Sequence, residues 1–405
     1  MRNVLFVSVI CSLLAASCGL VEIGEAPHSN ADGIWTGPSA SASKSDIYVT
    51  AFEYPEGYDW YSDVEKGSVR CSLVLFAGKI PVLKIPVGDA YQVSSEPFRH
   101  RVIGGHLYTD YADSSGTVIK KDGKELFRFV RQEEIACMSI SGGQIHTLGV
   151  PPEGGFCYRI DGEIVVERPS GRVFRHMVMD DGQACFCFSQ PVASKDGIKE
   201  RFYSCIGGKT SRVELDSLAD GVWDMMIADG TVNCLVSMKE LDSGQKGCRL
   251  TLFCGSERTD LFHSALSTIL TCSFSDQECL TVSGAYSSPR NNLNPYLWTR
   301  SNGTVYLAFD RSLAALHVDE GGVSYAINPV ESSRGLIASG KKLMAMPEGY
   351  VVIGHAPIAR TDSTTICLGL SSRMGESPIL WNNVGEPDTL DVNGYIATVS
   401  ANAPR

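Results

Sequence analysis

The sequence predicts an all-β chain folded as a single β-propeller, and three observations carry that prediction. The first is a series of turns, each followed by an apolar strand pattern. Its members are "IGGHLYTDY" from Ile103, "SGGQIHTLG" from Ser141, the Asp181-Gly182 turn, "ADGTVNCLV" from Ala228, "SDQECLTVS" from Ser275, "EGGVSYAIN" from Glu320, "PEGYVVIGH" from Pro347 and "VNGYIATVS" from Val392, with "KSDIYVTAF" from Lys44 as a less regular first copy. The second is an interleaved series of short glycine turns, whose glycines 78, 123, 162, 208, 255, 303, 340 and 375 recur every 35 to 48 residues. Glycine supplies the positive φ of tight hairpins, and the interval matches a four-stranded propeller blade. The third is "ACFCF", residues 184–188, apolar at nearly every position. A strand covered on both faces by stacked sheets loses the apolar-polar alternation of a half-exposed one.

The chain opens with "MRNVLFVSVICSLLAASC", one early cation, an apolar stretch and a small-residue tail, which is an export signal. Ala15, Ala16 and Ser17 run into Cys18, a pattern that resembles the lipobox of bacterial lipoproteins, so residues 1–18 are expected to be removed up to a lipidated Cys18. Residues 19–44, rich in Ser, Gly, Ala and Pro, read as a tether. No later apolar run approaches the roughly 20 residues of a membrane helix, so the remainder is expected to be soluble.

The propeller then fills residues 45–405. Each unit reads strand a, tight turn, strand b, variable loop, strand c, glycine turn, strand d. Around the Asp181-Gly182 turn, a lies near Phe174 to Met179, b near Ala184 to Phe188, c near Arg201 to Ile206 and d near Ser211 to Leu215. The hairpin count gives eight blades. The stretch from Gly322 to Glu348 is short for four strands, which makes seven the alternative. The last strand pattern, "GYIATVS", lies beyond the eighth hairpin, while the first unit lacks a strand a. A C-terminal strand completing the N-terminal blade satisfies both and removes exposed sheet edges.

Strand-turn-strand pieces such as "GGHLYTDY" and "YLWTRSNGT" resemble the repeat-propeller lipoproteins of Bacteroides-type bacteria and, more loosely, the YVTN and NHL group of propellers. The resemblance covers roughly Ser45 to Ser400. It implies a binding or display role in the cell envelope, the outer membrane being the expected site of the anchor; enzymes are a minority in that group.

This strand order sends the a-b and c-d turns to one end of each sheet and the b-c loops and d-a links to the other. The former are tight, whereas the b-c loops include residues 53–67, 189–200, 237–247, 284–295 and 355–364. Variable loops on a rigid scaffold are where binding residues concentrate. In the first of them Tyr54, Tyr58, Trp60 and Tyr61 alternate with Glu53, Glu56, Asp59 and Asp63. Aromatic faces and carboxylates suit a glycan or a protein hot spot; the bland alternative is that the loop folds back and buries its rings. Tyr286, Arg290, Asn291 and Asn292 make a second polar and aromatic group. Strands a line the channel of a propeller, and two of them carry "FRH", giving Arg99-His100 and Arg175-His176. An anion-binding ring competes there with strand-to-strand hydrogen bonding.

Other classes have little support. Without Arg2 the chain holds 34 Lys and Arg against 46 Asp and Glu, a formal charge of −12, which repels phosphate backbones and excludes nucleic acid as a partner. Twelve cysteines follow Cys18. Most sit inside apolar runs, as free buried thiols do, and Cys272 with Cys279 is the best candidate bridge. No ligand spacing predicts a metal, no cofactor is expected, and no GxSxG, HExxH or phosphate-binding loop occurs. The expected function is a binding or assembly module of the envelope, with a glycan-active hydrolase or lyase and a purely structural subunit as alternatives.

Overall fold

In a computed structural model the chain is all-β and of the propeller type, and every regular element among the described residues is a strand. The structure describes residues 35–36, 47–61, 69–90, 99–113, 115–194, 197–215, 219–238, 248–264, 268–276, 280–287, 293–299, 303–306, 313–319, 322–329, 335–339, 342–354, 358–360, 365–382 and 384–401. They form eight antiparallel sheets of four or five strands. Cα packing divides the chain into two compact units. One, drawn from Met1–Val130 and Arg311–Arg405, holds the first, second, seventh and eighth sheets; the other, Arg131–Asp310, holds the third to sixth.

The fourth sheet shows how sequence makes a blade. Its strands are Arg172–Asp180, Gln183–Ser194, Gly197–Ile206 and Lys209–Val213, in that order across the sheet. Asp181 and Gly182 both have positive φ, 48° and 77°, the conformation that a two-residue type I′ hairpin demands. Asp122-Gly123, Asp161-Gly162 and Asp229-Gly230 repeat it. Aspartate serves there for a second reason: the Asp161 carboxylate accepts the Ile145 N–H at 2.8 Å and the Asp122 carboxylate the Leu107 N–H at 2.9 Å, so each c-d turn caps the start of strand b. "ACFCF" is fully covered. Phe186 and Phe188 pack with Leu148, Phe156 and Tyr158 on one side, and Cys185 and Cys187 with Met225, Cys234 and Val236 on the other.

Strand a is irregular in a shared way. In the first, third and seventh sheets it carries one extra residue opposite strand b, namely Ala397, Ala136 and Ala314, and in the fifth and sixth it carries two, Asp220 and Trp223 and Leu270 and Ser275. In the fourth, Phe174, Arg175 and His176 all stand against Cys187. Bulges bend a strand and re-aim its side chains.

The C-terminal strand Gly394–Ala401 pairs with Ile47–Glu53, from Glu53↔Gly394 to Ile47↔Ala401. On the opposite edge, Trp35 and Thr36, within the expected tether, pair with Lys84 and Leu83; the rest of the tether and Cys18 lie outside the described residues.

Two expectations change. The short stretch after Gly322 belongs to a full four-stranded sheet, Leu313–Asp319, Gly322–Ile327, Leu336–Ser339 and Lys342–Ala345, because its outer two strands need only four residues each. In the eighth sheet the strand letters shift by one. Tyr350–Val351 and Ile358–Arg360 both pair with Ile366–Ser372, so they are two pieces of one interrupted strand a. Residues 361–365 are therefore an a-b connection, and the Gly375 turn joins b to c, since Ile366–Ser372 continues to Ile379–Asn382.

Candidate binding surface

The first b-c loop is built onto the core of the first unit. The Tyr54 N–H donates to the Asn393 carbonyl at 2.8 Å, and the Asn393 amide donates to the Pro55 carbonyl at 2.8 Å and the Tyr58 carbonyl at 3.4 Å. These bonds fold the loop back. Trp60 is 1% exposed and Tyr54 8%; Trp60 packs on Tyr395 at 5.1 Å between ring centres, and Tyr54 stacks on Tyr58 at 5.2 Å. Burial, then the neighbouring Cys71, pushes the Tyr54 phenol pKa up. Tyr54 and Trp60 are thus core residues and present no face to a ligand, because a large apolar ring gains more from burial than a loop position can offer it.

Tyr61 is the aromatic left outside, 43% exposed. Its N–H donates to Asp59 Oδ1 at 3.0 Å, and the Arg373 guanidinium lies over its ring, 5.3 Å from the centre. Arg373 arrives there because the Gly375 turn is a b-c turn. Its N–H donates to the Gly349 carbonyl at 2.8 Å, and the next residue, Met374, is 70% exposed. Gly349, φ 81°, leaves room for that thioether: a Cβ there would lie 3.2 Å from the Met374 sulfur. Loop 53–61, link 346–350 and turn 373–376 therefore share one surface. Arg373 and Met374 carry no signal in the sequence, because the glycine-turn series puts the Gly375 turn at the c-d end of its sheet.

Elsewhere the b-c ends differ from expectation. Residues 189–200 are a two-stranded arm, not a loop. Strand a stops at Arg172↔Ser189 and strand d at Val213↔Phe202, whereas b and c go on pairing with each other from Gln190↔Arg201 to Ser194↔Gly197. Ile198 on this arm is 80% exposed. Around residue 286 the strands pair as far as Ser287↔Leu293, with Tyr286 opposite Asn294; Arg290, Asn291 and Asn292 lie outside the described residues.

The two "FRH" copies are tied into inter-strand bonds. In the first unit, His100 Nε2 is 2.9 Å from Thr50 Oγ1, which is 2.6 Å from Thr398 Oγ1. Arg99 stands opposite Asp110 in the ladder, and Arg101 Nη2 donates to Asp110 at 3.2 Å. In the second unit, Arg175 pairs with Glu134, and His176 Nε2 is 2.7 Å from Asp224 Oδ2, which also accepts the Phe274 N–H at 2.9 Å. Four successive inner strands are so linked from sheet to sheet, three through side chains and the last through the Phe274 N–H. His100 sits in a regular ladder opposite Thr109, whereas His176 sits in the bulged stretch against Cys187.

The second unit also holds a buried ion pair. Arg159 grips Glu133 with both terminal nitrogens, one at 2.7 Å, and the side chains are 6% and 0% exposed. Gly149 is what admits it, since a Cβ there would stand 2.1 Å from Glu133 Oε2. Nearby, exposed Arg131 bridges Glu153 and Glu167. Cys272 is a buried thiol outside any disulfide, so the Cys272–Cys279 bridge does not form. Burial raises the pKa of Cys157 and Cys205 to about 11 and of Cys234 and Cys272 to about 12.

The sequence matches no protein-family model and no curated protein. Among solved structures, the chain is similar to the β-propeller domain of the Trilobed protease from Pyrococcus furiosus, at 12% identity and a TM-score of 0.44 over 75% of this chain and 92% of that one. It is also similar to a post-proline cleaving enzyme from Rickettsia typhi, at 8% and 0.43 over 74% of this chain, and to the acylaminoacyl peptidase of Pyrococcus horikoshii, at 12% and 0.40 over 82%. The match spans 53% and 54% of the length of those two enzymes. The likeness is one of fold alone, and the propeller type of this chain rests on its own antiparallel four- and five-stranded sheets.

Proposed function

We propose that this propeller is an exported, lipid-anchored module of the bacterial cell envelope, attached to the outer membrane through Cys18, that binds or assembles with a protein partner through the b-c ends of its sheets. The signal and lipobox pattern of residues 1–18 support the address. The observation that carries the binding role is the contrast between strand ends within each unit: type I′ turns close the a-b and c-d ends, while b-c ends carry an extruded arm in the second unit and the Tyr61–Arg373–Met374 surface in the first. A protein is favoured over a glycan because sugar stacking needs open aromatic faces. Tyr54 and Trp60 are buried, Tyr58 stacks on Tyr54, and Arg373 lies over Tyr61.

Two experiments test this. Replacing Cys18 by Ser should release the protein from the membrane fraction, and mass analysis should find lipid on Cys18 of the parent. A photo-cross-linking residue placed at 198 or 374 in cells should join one defined envelope protein, whereas the same residue at 80 or 181, in the turns of the other strand ends, should not. A glycan array probed with the mature chain should stay blank. Sugar release from a polysaccharide would replace the binding role with the hydrolase or lyase alternative, and cross-links without any measurable affinity would favour the structural subunit.

A further inference from the structure

The Tyr61–Arg373–Met374 surface has a charge pattern that narrows its partner. Met374 and Tyr61 form its apolar centre; an unbranched thioether and a tyrosine are side chains that interfaces favour over ordinary surface. Exposed carboxylates stand on each element that builds it: Glu56 on the loop, Glu348 on the link and Glu376 on the turn. Glu376 lies against Tyr350, whose hydroxyl donates to the Ser377 carbonyl at 3.1 Å, so this carboxylate is held at the surface's edge. The Arg373 guanidinium over Tyr61 keeps its charge, but it is the one cation on residues 53–61, 346–350 and 373–376, which also carry five carboxylates, Glu53, Glu56, Asp59, Glu348 and Glu376, so the surface stays acidic. An apolar centre with an acidic rim complements the opposite arrangement, an apolar residue between cations.

We infer that this surface docks a cationic segment of a partner protein, one that seats an aliphatic side chain on Met374, beside the Arg373-covered ring of Tyr61, and sets flanking Lys or Arg among Glu56, Glu348 and Glu376. The inference rests on the proposed protein-binding role and gives that partner its chemistry. A second copy of the chain is the wrong occupant, because it brings the same carboxylates and a net charge of −11 in the full sequence, and like charges facing each other weaken association.

The test uses the mature full chain and three labelled short peptides, alternating Leu with Lys, with Gln or with Glu. The Lys peptide should bind most tightly and weaken as salt is raised. Met374→Ser should weaken it by about tenfold, as loss of an interface anchor does, and the triple variant Glu56→Gln, Glu348→Gln, Glu376→Gln should weaken it as much while flattening the salt dependence. A control triple, Glu163→Gln, Glu214→Gln, Glu386→Gln, removes the same charge elsewhere and should bind like the parent. Equal loss in the control, or tighter binding of the Glu or Gln peptide, overturns the inference. If the Gln or Glu peptide binds and Met374→Ser abolishes it, the protein-binding role stands and only the partner's charge is wrong. If no peptide binds, the inference fails, and the cross-links from positions 198 and 374 decide separately whether the role survives.

Discussion

Two b-c connections take opposite courses over their described residues, 53–61 in one and 189–194 with 197–200 in the other. The first, aromatic one turns inward: within eight residues it offers Tyr54, Tyr58, Trp60 and Tyr61, and the core takes Tyr54 and Trp60 completely. The second has no aromatic residue, intersperses Pro191, Val192, Ala193 and Ile198 with charges, and runs outward as a paired arm. Aromatic content in a propeller loop is therefore a poor marker of a binding platform, because the area that makes a ring a good ligand contact makes it a better core residue. A segment too polar to be buried and apolar enough for strand pairing is what stays in water.

The largest effect expected from this contrast is at Trp60. Trp60→Ala should cost about 3–5 kcal/mol of unfolding free energy, the range for removing a buried Trp, measured by urea denaturation. A ligand platform would lose affinity with stability intact, so an unchanged midpoint would place Trp60 back on the surface.

The buried side also has a signature in pH. Thiols of Cys157, Cys205, Cys234 and Cys272 titrate near 9 when unfolded but are held to about 11 or 12 in the fold, and burial likewise takes Tyr158 to about 12. The unfolded chain thus gives up these protons first. Their contribution is fully present below pH about 9 and is lost as pH climbs toward 12. Melting temperature should fall across that window, and less steeply in Cys234→Ala. A thiol reagent at pH 8 should find the eight buried cysteines, Cys71, Cys157, Cys185, Cys187, Cys205, Cys234, Cys272 and Cys367, inert in the native chain and reactive in denaturant; rapid native labelling of any of them would contradict their burial.

Smaller still is the effect of the tie that folds the aromatic loop inward. Asn393→Ala removes amide bonds to Pro55 and Tyr58 and should cost about 1 kcal/mol. If the loop is held by ring burial, Trp60 fluorescence should stay that of a buried indole in this variant; a red shift would show that Asn393, not the core, sets the loop's course.

The same contrast explains what was legible in the sequence. Strand pairing, the paired turn series and the strand that "GYIATVS" supplies all follow from local signals, Asp-Gly dipeptides and apolar runs, that act over a few residues. The placement of Tyr61 beside Arg373 joins positions far apart in the chain, and no local pattern encodes it. The eighth sheet was misassigned because "RMGE" has the same glycine in a b-c turn as in a c-d turn, so a turn signal fixes where the chain reverses and not which end of the sheet it reverses at. Glu133, Arg159 and Gly149 gave no signal, because a buried ion pair and the glycine that admits it are recognisable only together.

The arm carries the last and smallest prediction. Cutting residues 190–201 and joining Ser189 to Phe202 through Asn-Gly keeps every strand pair that the fourth sheet makes with its outer strands, since Arg172 reaches only Ser189 and Val213 only Phe202. It supplies the dipeptide that a tight hairpin prefers and shortens a connection, which lowers the entropy cost of closing it. An isolated two-stranded ribbon contributes little stability of its own, so the melting temperature should stay within a degree or two, an effect of about 0.5 kcal/mol at most. Ile198→Ser should do less. If the trimmed chain melts as the parent does but loses its cross-linked partner, the arm exists for assembly. If it melts lower by much more than that, the arm packs on the rest of the molecule, and the contrast with the aromatic loop disappears.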